Sequence, residues 1–229
     1  MKSLSHTVGV SVLAICLSWP AFGQAPPSIK IGVLNDASGP YSDNGGEGSV
    51  TAAKMAAEDF MGKHPDFKVE IIAADHQNKP DIGVGIARRW IDQEHVDAIA
   101  DVPNSAVGLA VNEVVRGTKA GLIASSAATS DLTGKYCSAN TIQWTFDTWA
   151  ASHTLGDYLV KHGGKKWYFI ATDNALGKSM IQDGTSVIKA SGGTVLGSVN
   201  VPINNADYAS FILQADSSGY CRRTALAPT

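Results

Sequence analysis

Residues 29–42 read IKIGVLNDASGPYS, an apolar run followed directly by a polar loop that contains a glycine and a proline. The first half, residues 29–35, predicts a buried parallel strand, and the second half predicts a loop that leads into a helix. In open α/β sheets, the loops at the carboxyl ends of the strands form the crevice in which ligands bind. This stretch therefore predicts an α/β fold with a candidate small-molecule site at the strand ends.

Strands and helices alternate along the rest of the chain. We predict strands at residues 29–35, 68–74, 96–100, 121–124, 141–146, 167–171 and 194–201, and helices at 48–62, 80–94, 105–116, 148–162 and 178–191. Such alternation implies parallel strands joined by right-handed crossovers, with helices on both faces of the sheet.

A fresh series of elements begins near residues 145–149. We therefore predict an N-terminal α/β lobe at 24–146 and a partial C-terminal α/β lobe at 147–216, each a doubly wound parallel sheet, joined by a hinge. Two such lobes that meet at their strand ends enclose a cleft, and hinge closure around a ligand is the expected motion.

The first 23 residues have the pattern of an export signal. Lys2 gives a positive start, Val8 to Trp19 is mostly apolar but too short to span a bilayer comfortably, and Ala21-Phe22-Gly23 is a small-x-small cleavage pattern. We predict cleavage after Gly23 and a mature protein in the periplasm. A membrane anchor is the alternative interpretation, and lipid attachment at Cys16 is a weaker one because bulky Ile15 precedes it.

Composition and motifs argue against several functional classes. The net charge of -3 and the isoelectric point near 6.0 give no basic surface for nucleic acid. The sequence contains no GxGxxG, GxxxxGK[ST] or GxSxG motif, and its six histidines show no metal-ligand spacing. We therefore expect no enzymatic activity, no cofactor and no bound metal, and we expect a monomer. Beyond the signal, two cysteines remain, Cys137 and Cys221, and their spacing does not by itself imply a disulfide.

Five stretches of the chain resemble the branched-chain amino-acid (Leu/Ile/Val-binding) type of periplasmic solute-binding protein, the receptor subunit of an ABC importer. They read IKIGVLNDASGPYSDNG, AAKMAAEDF, DVPNSAVGLAV, GLIASSAATSDLTG and ATDNALGKSM. The resemblance covers residues 28 to about 216. The resemblance implies a type I periplasmic binding fold. It also implies capture of an amino acid or a related small carboxylate, aromatic or aliphatic, in the interlobe cleft, with delivery to an ABC permease in the inner membrane.

The same resemblance implies a ligand site made by Tyr41, Ser105, Ser126, Ala127, Ala128, Thr129 and Leu176. In it, Ser105 and Thr129 bind the ligand carboxylate, and the carbonyl of Ala127 takes an ammonium group if the ligand has one. Ser105 begins a predicted helix, whose free N–H groups can meet an anion. From the residues alone, two alternatives stay open: Ser105 only caps its helix, and residues 126–129 form an ordinary Ser/Thr turn.

Two further positions of the predicted site bear on the ligand's side chain. Tyr41 lies in the first crevice loop, where it covers the ligand or serves only in packing. Leu176 stands where the family often carries an aromatic residue just before a glycine, here Gly177. Strong aromatic stacking from the second lobe is therefore not expected.

The last residues do not continue the pattern. Residues 217–229 contain two adjacent arginines and a run of small residues where the family pattern calls for an apolar strand. We interpret them as an aberrant tail of a truncated or frame-shifted product with an incomplete second lobe. The alternatives to a transport receptor are a ligand-sensing receptor of the same fold and an inactive truncated product.

Overall fold

The computed structural model describes residues 26–219, so the predicted signal at 1–23 and the tail from residue 220 onward lie outside the described residues. The strands are β1 (Ser28–Asn35), β2 (Lys68–Asp75), β3 (Ala98–Asp101), β4 (Gly121–Ala124), β5 (Thr141–Gln143), β6 (Lys166–Thr172) and β7 (Thr194–Val201). The helices are α1 (Gly46–Lys63), α2 (Pro80–Asp92), α3 (Ser105–Val115), α4 (Thr148–Ser152), α5 (Tyr158–Lys161), α6 (Ala175–Ala190) and α7 (Ala209–Ser217).

The first five strands form one parallel sheet in the order β2-β1-β3-β4-β5. The strand order reverses at β1, which lies between β2 and β3. At such a switch point the loops that follow the two neighbouring strands diverge and leave a crevice at the carboxyl edge of the sheet. The loops after β1 and β3 therefore define the candidate site.

The core of the first lobe lies between this sheet and the helices α2 and α3. Its largest fully buried members include Trp90 of α2, Val111 of α3, and Leu34, Ile99 and Leu122 of the strands. These three strand residues come from adjacent strands and face the same side of the sheet, so α2 and α3 share that face. Ile29 and Ile31 of β1 face the other side of the sheet. There they line a groove together with residues of α1.

The second sheet contains β6 and β7, paired in parallel from Lys166–Thr194 to Thr172–Val201. Both sheets confirm the predicted α/β class with parallel strands. Helix α6 crosses from β6 to β7, as expected for a right-handed βαβ unit. No helix among residues 26–219 has both the length and the apolar character needed to cross a bilayer.

Several element boundaries differ from the sequence prediction. Strand β5 ends at Gln143 instead of residue 146, and the side chains of Trp144 and Phe146 are 74% and 69% exposed. The helix predicted at 148–162 is divided by a π-helical segment at His153–Asp157. Helix α6 begins three residues earlier than predicted because the side chain of Asn174 caps it by accepting a hydrogen bond from the N–H of Gly177. Helix α7 was not predicted.

Candidate functional site

The loop after β1 is held by two carboxylates, those of Asp36 and Asp75. Asp36 is fully buried, and its carboxylate accepts a hydrogen bond from the backbone N–H of Tyr41 at 3.0 Å. Asp75, at the end of β2, accepts hydrogen bonds from the N–H of Ala37 at 3.1 Å and from the hydroxyl of Ser38. These hydrogen bonds stabilise the first crevice loop internally and connect it to the end of β2. They therefore fix the position of Tyr41.

The end of β3 has a strained backbone. Asp101 and Val102 have φ angles of 80° and 58°, values that non-glycine residues rarely adopt. A contact to the segment that follows β4 stabilises this backbone, because the hydroxyl of Ser126 donates to Oδ1 of Asp101 at 3.0 Å. Such strain is concentrated at functional positions in proteins, and here it re-aims the chain between β3 and α3.

Ser105 is the first residue of α3 and is 4% exposed. The helix cap is Asn104, whose side-chain oxygen accepts hydrogen bonds from the N–H groups of Ala106 at 2.7 Å and Val107 at 3.2 Å. The alternative that Ser105 only caps its helix is therefore wrong. Because Asn104 is the cap, capping does not occupy the Ser105 hydroxyl.

The turn at 126–129 packs directly against α3. Gly108 of α3 lies so close to this turn that an added Cβ would stand 2.9 Å from the Cβ of Ala127. The first turns of α3 and the predicted Ser-Ala-Ala-Thr segment are therefore neighbours, as the predicted site requires. The absence of a side chain at Gly108 is what allows this approach.

The polar groups of this turn already have partners in the protein. The Ala127 carbonyl accepts from the amide of Gln143 at 2.9 Å, and the Ala128 carbonyl accepts from the N–H of Thr148 at 2.9 Å. The hydroxyl of Thr129, a fully buried residue, donates to the hydroxyl oxygen of Ser179 at 3.0 Å. A carbonyl oxygen has a second lone pair, so Ala127 can still accept from a ligand, whereas Thr129 has only one proton to donate.

The second lobe contributes the amino-terminal end of α6. Leu176 lies in its first turn and is half-buried. The cap residue Asn174 also donates its side-chain amide to the Tyr41 hydroxyl at 3.1 Å, across 133 positions of sequence. Burial raises the pKa of Tyr41, so its phenol stays neutral and can donate its own proton to a further acceptor.

Asn174 and Ser179 were not among the residues predicted for this site. An asparagine directly before the helix beginning Ala175-Leu176-Gly177 is a recognisable cap signal, but its second contact, to Tyr41, leaves no trace in local sequence. Asp173, the residue before it, is exposed and pairs with Lys178 at 3.3 Å.

His76, the residue after β2, is fully buried under the first lobe's helices. Its Nδ1 accepts a hydrogen bond from the N–H of Asn78, and its Nε2 has no partner among the described residues. Burial lowers the pKa of His76 below its usual 6.5, although the nearby carboxylates of Asp36, Asp75 and Asp101 act in the opposite direction. The imidazole is therefore neutral in the folded protein near pH 7.

This depressed pKa predicts a loss of stability in mild acid. The unfolded chain binds a proton at His76 more readily than the folded chain. The free energy of unfolding is therefore at its full value above about pH 6.5 and falls as the pH drops below it. The free energy of unfolding, measured by urea denaturation between pH 7.5 and 5.5, should fall by up to about 1.4 kcal/mol per pH unit. His76→Gln should flatten this slope, whereas His64→Gln, at an exposed histidine, should leave it unchanged. If the free energy of unfolding fell equally with pH in the parent and both variants, the pH dependence would not come from His76.

A family model described as periplasmic binding protein matches residues 28–220. The chain belongs to the periplasmic binding protein family. This confirms the resemblance carried by the five sequence stretches. No group of histidine, cysteine, aspartate or glutamate side chains within the described periplasmic binding protein fold is arranged to hold a metal ion.

Solved structures of other periplasmic binding proteins are similar to this chain. A periplasmic binding protein from Burkholderia mallei is 40% identical, with 84% of this chain and 52% of that chain covered and a TM-score of 0.78. A branched chain amino acid ABC transporter periplasmic ligand-binding protein from Burkholderia xenovorans LB400 is 35% identical, with 84% and 51% covered and a TM-score of 0.70. The chain thus spans about half the length of these relatives. No curated protein matches it.

A more distantly similar protein has been solved in complex with a ligand. An ABC transporter solute-binding protein from R. palustris in complex with benzoate is 19% identical, with 84% of this chain and 53% of that chain covered and a TM-score of 0.72. At this identity the comparison shows the shared fold. It supports the predicted type I periplasmic binding architecture of the first lobe and of the described part of the second.

Proposed function

We propose that this chain is the solute-binding component of an ABC importer in the periplasm, with an amino acid or a related small carboxylate as its ligand. The observation that carries the proposal is the position of Ser105, which is buried in the first turn of α3 beside the turn at 126–129, with Asn104 and not Ser105 as the helix cap. A helix amino terminus with an available hydroxyl donor is suited to a carboxylate, because hydrogen bonds to ionised acceptors are the strong ones.

Two comparisons support this ligand class. The B. xenovorans relative is a branched chain amino acid ABC transporter ligand-binding protein, and the R. palustris protein of the same fold holds benzoate. Both kinds of ligand carry one carboxylate on a mainly apolar body. Leu176 and Tyr41 offer an apolar and an aromatic surface from opposite lobes for such a body.

The proposed mechanism is capture followed by closure. The ligand carboxylate meets Ser105 and the turn at 126–129 in the first lobe, and the ligand body meets the start of α6 in the second lobe. A ligand shifts the open–closed equilibrium only by its difference in affinity for the two states, so contacts to both lobes are required for closure. The closed form is then presented to a membrane permease.

Replacing Ser105 by alanine is the direct test of this site. Loss of the hydroxyl donor should weaken carboxylate binding by about 1–3 kcal/mol, which is roughly a fivefold to 150-fold rise in Kd. The measurement is isothermal titration calorimetry of the refolded mature chain with L-leucine and with 4-hydroxybenzoate. Ser152→Ala is the matched control, because Ser152 is similarly buried but lies in α4. Unchanged affinity in Ser105→Ala, or an equal loss in the control, would contradict the site.

A further inference from the structure

A chain of hydroxyl groups runs from the predicted ligand site to a carboxylate of the second lobe. The Thr129 hydroxyl donates to Oγ of Ser179 at 3.0 Å, and Oγ of Ser179 lies 3.0 Å from Oγ1 of Thr148. Thr148 in turn donates to Oδ2 of Asp183 at 2.6 Å. We refer to Thr129, Ser179, Thr148 and Asp183 as the hydroxyl chain.

The direction of every hydrogen bond in the hydroxyl chain follows from proton counting. Each hydroxyl has one proton, and that of Thr148 goes to the Asp183 carboxylate. In its contact with Ser179, Thr148 therefore accepts, so the Ser179 proton goes to Thr148. The oxygen of Ser179 is then free to accept the proton of Thr129. The carboxylate at the end polarises the whole series toward itself, which strengthens each bond.

The hydroxyl chain also connects separate parts of the fold. Thr129 follows β4 of the first lobe, whereas Ser179 and Asp183 lie on successive turns of α6. Ser130 adds a parallel contact, since its hydroxyl donates to the same Asp183 oxygen at 2.7 Å. Thr129, Thr148 and Ser179 are all buried, so water does not replace these bonds freely.

We propose that Ser179 is an internal competitor for the ligand: its hydroxyl oxygen accepts the single Thr129 proton that a bound carboxylate needs. The inference rests on the proposed function. Ser179 occupies the place of a ligand oxygen toward Thr129 and links α6 to the turn at 126–129. A ligand carboxylate that takes over the Thr129 proton replaces this one contact, while the hydrogen bonds from Ser130 and Thr148 to Asp183 keep α6 beside the turn. Ser179 therefore positions the Thr129 hydroxyl. Asp183 in turn orients the Ser179 hydroxyl through Thr148, which accepts from Ser179 and donates to Asp183.

Removing the competitor should strengthen ligand binding. With Ser179→Ala, the Thr129 proton no longer has to leave a protein acceptor, so Kd for L-leucine or 4-hydroxybenzoate should fall about three- to tenfold. A merely structural role would leave Kd unchanged or raise it. In a Thr129→Val background, Ser179→Ala should have no effect on Kd, because the contested proton is gone. Ser152→Ala, a buried serine that also contacts α6 through Met180, is the control and should leave Kd unchanged.

A second test measures the thermal stability of the variants and needs no ligand. Thr129→Val and Ser179→Ala should each lower Tm by about 2–4 °C, and the double variant should lower Tm by no more than the larger single loss. Additive losses would overturn the contact on which the inference rests.

The two proposals fail in different ways. If the parent binds a probe and Ser179→Ala binds it no more tightly, the competition is wrong and the proposed function stands. If neither protein binds any carboxylate probe, the proposed function is wrong and the competition is wrong with it. In that case the Tm cycle still decides whether Ser179 holds α6 to the first lobe.

Discussion

Replacing Gly177 with alanine is expected to cost about 3 kcal/mol or more of stability and to disrupt the start of α6. A Cβ at this position would stand 2.0 Å from the carbonyl oxygen of Thr172 and 3.0 Å from its carbonyl carbon. Both are backbone atoms at the end of β6, so no side-chain rotation can relieve the clash. Either α6 or the end of β6 must move.

The same movement should reach the proposed site. Asn174 caps α6 through the N–H of Gly177 and also holds the Tyr41 hydroxyl. Displacement of the first turn of α6 would break both contacts and shift Leu176. Ligand affinity should therefore fall together with stability in Gly177→Ala, through the second-lobe wall of the crevice.

Urea denaturation of Gly177→Ala and of a matched glycine variant would measure this effect. Gly85 is an exposed helical glycine of α2, and an added Cβ there would meet nothing within 4 Å. Gly85→Ala should stabilise the protein by about 0.4–1 kcal/mol, because alanine reduces the entropy of the unfolded chain. A Gly177→Ala variant as stable as the parent would show that β6 and α6 are not closely packed.

The sequence predicted the regular elements because their signals are local. An apolar run bounded by polar turns placed β4 at 121–124 and β7 at 194–201, and the structure has them at these residues. Pro80 marked the start of α2 correctly, since proline fits the first helical turn. Boundaries failed where a side chain far from the apolar pattern set them. The beginning of α6 is one example, because it depends on the cap made by Asn174.

The candidate site was less predictable than the fold, for a physical reason. The residue types Ser105 and Thr129 could be assigned by resemblance, but their hydrogen-bond partners depend on segments that meet only in the folded chain. Thr129 and Ser179 are 50 positions apart, and Tyr41 and Asn174 are 133 apart. No periodicity or local motif encodes such pairs. The left-handed backbone at Asp101 is likewise invisible, because aspartate carries no general preference strong enough to predict it.

One large side chain, the indole of Trp90, packs directly on the sheet that supports this site. Trp90 of α2 is 2% exposed and lies over Gly32 of β1, where an added Cβ would stand 2.4 Å from ring atom Cζ3. The glycine in IKIGVLN therefore makes room for the indole. Trp90→Ala should lower the free energy of unfolding by about 3–5 kcal/mol, because it removes buried apolar surface and leaves a cavity beside β1.

The pairing of Gly32 with Trp90 makes this prediction specific. Alone, Gly32→Ala should destabilise the protein, because the indole must move away from the new methyl group. In the Trp90→Ala background, Gly32→Ala should be close to neutral, because the methyl group then enters the cavity. Urea denaturation of the parent, both single variants and the double variant measures the coupling. Additive losses would mean that Trp90 stabilises β1 without contacting Gly32, and the role of the glycine in the first strand would need another explanation.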